Sequence, residues 1–126
     1  MAKLSKHDVT PNQQGPSTEW RADLDGYTVS MVSLAADVDL TEMLKGLPGD
    51  VCPSPHWGYV TQGSVWFRNG DREEVFGAGD AFYTLPGHTA GASKDAQFVI
   101  FSPGEVMATV EAHMAKRAQE LFAAGG

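Results

Sequence analysis

Between residues 59 and 101 the chain is a string of short alternating segments, and this pattern constrains its fold more than any other feature. Segments 59–62, 64–68, 73–76, 81–85 and 97–101 carry β-branched and aromatic residues at strand spacing. Turn signals divide them: Asn69-Gly70-Asp71 predicts a hairpin, Gly77-Ala78-Gly79-Asp80 a turn, and Ser93-Lys94-Asp95 a further reversal. Strands joined this tightly cannot form a parallel sheet, which would require intervening helices. An antiparallel sandwich or barrel is expected.

The flanks have different patterns. Residues 1–17 are polar, interrupted by Pro11, Gly15 and Pro16, and predict a flexible arm or an edge segment ordered by packing. Residues 27–34 read as another strand. Asp39, as N-cap, opens a helix of one to two turns that stops at Gly46, and Leu47-Pro48-Gly49-Asp50 follows as a turn. Ser102-Pro103-Gly104-Glu105 has the form of a helix start with a capping box. Met107, Val110, Met114 and Leu121 then make one apolar stripe of a C-terminal helix, expected over 103–123 and packed on a barrel spanning 18–102. His113 falls on the flank of that helix and His7 in the arm, and neither is assigned a role.

Composition narrows the function. The 126 residues suffice for one domain. A net charge of −7 and a pI near 4.8 repel nucleic acid and anionic membranes, so neither partner is expected. No apolar run is long enough to span a bilayer, and no secretory leader pattern is seen. The single cysteine rules out an internal disulfide and fits a reducing cytoplasm, the expected location. Phosphate loop, nucleophile elbow, CxxC pair and dinucleotide fingerprint are all missing from the sequence.

Two stretches carry the chemistry: His56-Trp57-Gly58-Tyr59-Val60-Thr61-Gln62-Gly63 and Gly79-Asp80-Ala81-Phe82-Tyr83-Thr84-Leu85-Pro86-Gly87-His88. Each sets a histidine beside a strand and a glycine-marked turn. Together they resemble the two motifs of the cupin family, whose histidines and glutamate hold one divalent metal in a jelly-roll barrel. Counting back from Gly63 puts His56 at the family's glutamate position, Cys52 at its second histidine and Asp50 at its first. In the second motif, His88 stands two residues ahead of the family position, now Ala90.

The resemblance implies an all-β double-stranded β-helix (jelly-roll) barrel with metal donors at its mouth. The candidate ligands are His56, His88 and Cys52, with Asp50 a further candidate. Asp50, Cys52 and His56 are separated by even steps and share a face if extended, but a straight strand would hold Cys52 and His56 about 13 Å apart. Donors of one ion lie about 3 to 4 Å apart, so a shared metal requires a sharp bend at Pro53-Ser54-Pro55. A sulfur and nitrogen set suits Zn, Fe, Ni or Co over Mg or Ca. Structural roles stand beside these: Cys52 as a small buried hydrophobe, and Asp50 as a turn cap. Trp57, Tyr59 and Tyr83 are candidate substrate-lining residues, with core packing as their alternative. The resulting expectation is a metal-dependent protein acting on a small organic molecule by oxygenase- or isomerase-type chemistry. The alternative is a non-catalytic small-molecule-binding or dimeric structural cupin, and a homodimer is expected in either case.

Overall fold

A computed structural model describes residues 2–122. Ten strands and two helices follow in chain order. Strands β1 (Asn12–Gln14), β2 (Ser17–Leu24), β3 (Tyr27–Leu34) and β4 (Val38–Asp39) precede helix α1 (Thr41–Leu44) and a 3-10 turn at Pro48–Asp50. Strands β5 (His56–Gln62), β6 (Ser64–Asn69), β7 (Arg72–Gly77), β8 (Ala81–Thr84), β9 (Thr89–Ala92) and β10 (Ala96–Pro103) follow, and helix α2 (Gly104–Phe122) closes the described chain. Residue 123, the last of the expected helix, and residue 1 of the expected arm lie outside the described residues.

The strands form two antiparallel sheets, ordered β1-β2-β3-β10-β5-β8 and β4-β9-β6-β7. This is the expected all-β jelly roll. Strand β10 lies between β3 and β5, in register Phe98↔Val32 and Phe98↔Val60, so distant parts of the chain share one sheet. At Gly63 the chain passes from one sheet to the other within a single residue. Its φ is +69°, and an added Cβ would run into the carbonyl oxygen of Asp95. Only glycine meets both conditions without strain.

Alternation along the strands builds the core. Leu34, Val60, Phe82 and Phe98 point inward from the larger sheet and meet Val38, Val65, Phe67 and Ala92 from the smaller one. A second cluster of Leu44, Leu47, Cys52, Met107 and Val110, with Met114 against it, seats α2 over one end of the barrel. Of the two expectations for the N-terminal segment, the edge segment is what the described residues show from Asn12: strand β1, paired in register Asn12↔Glu19, with β2 beginning at Ser17. The short strand β9, Thr-Ala-Gly-Ala, has too few bulky residues to show strand periodicity and is recognisable only through its partners β4 and β6.

Candidate metal centre

The bend required at Pro53-Ser54-Pro55 is present. Cys52 forms an isolated bridge with His88: its N–H donates to the His88 carbonyl at 2.8 Å, and Gly87 N–H donates back to the Cys52 carbonyl at 2.7 Å. The chain then folds over fully buried Ser54, whose hydroxyl donates to the Pro55 carbonyl at 2.8 Å, and enters β5 at His56. Cys52 Sγ thereby comes within 3.7 Å of His56 Nε2. The His56 and His88 rings meet edge-on with centroids 4.8 Å apart. One donor atom from each of Cys52, His56 and His88 lies within 4.8 Å of the others, and all three side chains are buried.

Each ring is held through its Nδ1 by a hydrogen bond. His88 Nδ1 lies 2.7 Å from the Leu85 carbonyl, which can only accept, so Nδ1 carries the proton and Nε2 the lone pair. Thr84 Oγ1 supports the same nitrogen at 3.1 Å. His56 Nδ1 lies 2.7 Å from Ser102 Oγ, and the hydroxyl accepts when Nε2 is the lone-pair atom. Holding one ring nitrogen to free the other is how proteins orient imidazole ligands.

Burial keeps both rings neutral. Desolvation, then the neighbouring His88, lowers His56 to about 3, and desolvation lowers His88 against the Leu85 hydrogen bond. Burial raises the Cys52 thiol to about 11; a backbone hydrogen bond with Ser54 opposes this and Glu111 adds to it. Neutral imidazoles are ready donors, whereas the thiol needs a cation beside it to ionise. A buried S/N/N set with both Nε2 atoms free therefore fits a divalent transition metal.

The centre borders an apolar cavity of about 100 Å³, walled by residues that include Leu44, Phe67, Ile100, Met107 and Val110. On the other side of His88 is a more open hollow of about 320 Å³ with Arg72, Glu74 and Tyr83 in its wall. The remaining sequence candidates lie elsewhere. Asp50 is exposed in the 3-10 turn at φ +58°, and its carboxylate accepts the Gly46 N–H at 2.9 Å, so it stays outside the cluster as a turn cap. Trp57 and Tyr59 alternate with inward-facing His56 and point outward, each about 45% exposed. Tyr83 also faces outward, tilted at 50° against Trp57 with centroids 5.1 Å apart, and reaches only the second hollow. Adjacency to a ligand in a strand places a residue on the opposite face, so these three do not line the metal cavity.

Residues 51–112 match the family model described as the AraC-like ligand-binding domain. No curated protein is significantly similar in sequence. Among solved structures, a cupin-superfamily sugar phosphate isomerase from Silicibacter pomeroyi aligns at 13% identity and a TM-score of 0.59, covering 81% of this chain and 75% of that one. This chain has a cupin fold. Its fold is also similar to the polyketide cyclase RemF from Streptomyces resistomycificus, at 17% identity, a TM-score of 0.58, and coverage of 82% and 80%. A further match is an HTH_3 family transcriptional regulator from Vibrio cholerae, at 9% identity and a TM-score of 0.54. The alignment covers 71% of this chain but only 52% of the regulator, so the chain spans about half that protein's length.

Sequence reading missed two residues that orient the histidines, Thr84 and Ser102. Ser102 had the spacing of a helix N-cap, yet it belongs to β10 and its hydroxyl meets His56. Strand parity gave a usable signal, since Ser102 shares the inward face with Phe98 and Ile100.

Proposed function

We propose that this cupin binds a divalent transition metal (Zn, Fe, Ni or Co) through Cys52, His56 and His88, and acts on a small organic molecule in the adjoining cavity. The observation that carries this reading is the convergence of three buried donors with both Nδ1 atoms already engaged. When bound, such an ion supplies Lewis acidity and an open coordination position. Leu85 fixes the His88 tautomer, Ser102 holds the His56 ring in place, and apolar residues line the cavity beside the cluster. Oxygenase- and isomerase-type chemistry both remain within this reading, and the sugar phosphate isomerase and the polyketide cyclase among the structural neighbours support an enzyme.

Elemental analysis of untagged protein tests the site. Wild type should carry close to one metal per chain, and the His56→Ala/His88→Ala double variant should carry none. Unchanged metal content in that variant would remove the assignment.

A second reading is a non-catalytic binding cupin, supported by the AraC-like ligand-binding match and the missing motif glutamate. Metal-free protein that gains no thermal stability from any of the four ions would favour it, because a tight ligand must raise the melting point. Under both readings we take the protein to be a cytoplasmic homodimer. Its outer sheet face supports this, with Trp57, Tyr83 and Phe101 side by side and half exposed. Light scattering of the same preparations checks the mass.

A further inference from the structure

The ionisable groups around the cavity beside the metal centre fall in two sets. One is Cys52, His56 and His88; the hydrogen bonds of His88 are made through Nδ1, so its Nε2 is left open. The other is Glu19 from β2 and Glu111 from α2, and this pair is already closed. Arg21, which lines a separate hollow, lies 3.6 Å from Glu19 Oε1 and 2.5 Å from Glu111 Oε2. Desolvation first, then Glu19, raises Glu111 to about 8, and a hydrogen bond joins the two carboxyl groups. With that proton and one guanidinium the pair carries no net charge at neutral pH. Among the described residues no Lys or Arg lines the cavity. A charged guest would shed its water there without finding a free counter-charge, which costs far more than burying a hydroxyl or carbonyl that finds a partner.

Size is limited at a different place. The cavity and the open hollow beyond it, about 320 Å³, have only Phe67 and His88 in common among their lining residues. The Phe67 ring is wedged against His88, Phe82 and Phe76, with centroids 5.3, 5.4 and 5.9 Å away. It is the one hydrocarbon side chain that walls both spaces. With it in place, a cavity of about 100 Å³ accepts about four or five non-hydrogen atoms, given that about 150 Å³ accommodates benzene.

We propose that Phe67 partitions the barrel and makes the inner cavity a chamber for a short, neutral, oxygen-headed molecule, an alcohol or carbonyl compound. Its oxygen meets the Cys52, His56 and His88 set, and its hydrocarbon lies against Leu44, Ile100 and Met107. Phe67 is then the residue that determines how long a guest the chamber takes. The proposal rests on reading this cavity as the ligand chamber and narrows the class of molecule it admits; it does not require the metal.

NMR titration at neutral pH with 1-butanol, n-butylammonium and propionate, three probes of like size, tests the charge limit on metal-loaded and chelator-stripped protein. Butanol should bind at least about tenfold tighter than either ion in both forms. Cyclohexanol tests the size limit, and wild type should bind it at least about tenfold more weakly than butanol. Val32→Phe fills the cavity from β3, a strand that carries none of the three donors, and should abolish butanol binding with metal content unchanged. Phe67→Ala joins the two spaces and should bring cyclohexanol to the level of butanol; Phe67→Leu takes its place if the alanine variant does not fold. An ion bound as tightly as butanol, butanol binding that survives Val32→Phe, cyclohexanol still excluded by a folded Phe67 variant, or no binding by any probe overturns the proposal. Metal bound without a preference for the neutral probe defeats this chamber alone. The preference in a protein that never takes up metal defeats the metal reading alone.

Discussion

Ser102 shows how much one hydroxyl can matter in a buried donor set. Removing it leaves His56 Nδ1 without its partner at 2.7 Å, in a place water does not reach. Ser102→Ala should lower stability by about 1–3 kcal/mol for the orphaned ring nitrogen. Through the freed ring it should weaken metal binding about 10- to 100-fold, read by competition with a chelating dye. Unchanged affinity would show that β5 alone sets the ring. The motif frame brought Cys52, His56 and His88 together as candidates, and their donor atoms lie within 4.8 Å of one another. The same reasoning failed for Trp57, Tyr59 and Tyr83, where strand parity outweighs nearness in the chain. Glu111 was invisible as well: on a helical wheel it is one more polar residue, and only the approach of β2 buries it.

Among the elements, those with strong periodicity or turn chemistry were legible, including β3, the β6–β7 hairpin and α2. Those defined by pairing alone were not: β1, β4 and β9 are too short and weakly patterned to stand out from loop. The bend after Cys52 was predictable only as a condition, since two prolines prevent ladder bonding without setting a direction. Gly63 provides a test of how the sheets are joined. Gly63→Ala must place a side chain at positive φ against the Asp95 carbonyl, and should destabilise by at least about 2 kcal/mol. Denaturant unfolding measures this, and a loss below about 0.5 kcal/mol would mean that the corner relaxes freely.

For the whole molecule, buried ionisable groups set a pH profile of stability. Both histidines are held below their ordinary 6.5, so the unfolded chain binds more protons as pH falls through that value, and stability drops. Glu111 has the opposite sign: raised from 4.5 to about 8, it favours the folded state at low pH, and that contribution is lost as pH rises through 8. Below 6.5 two histidines outweigh one glutamate, and above it the glutamate acts alone. The metal-free protein should therefore melt highest near pH 6.5, and Glu111→Gln should flatten the decline between 6.5 and 8. A melting temperature that rises steadily to pH 8 in wild type would contradict the buried state of Glu111. Among the described residues, no helix is long and apolar enough to cross a membrane.

The Cys52–His88 bridge has a consequence beyond geometry. Two donors share the segment 52–56, and the third, His88, joins them only when the bridge to Cys52 forms, so the unfolded chain offers an ion no complete seat. With a resident ion, capture of the metal and completion of the fold become one event. The amount of intact protein in a cell would then follow metal supply, and scarcity would be felt as turnover by proteases before it was felt as lost activity.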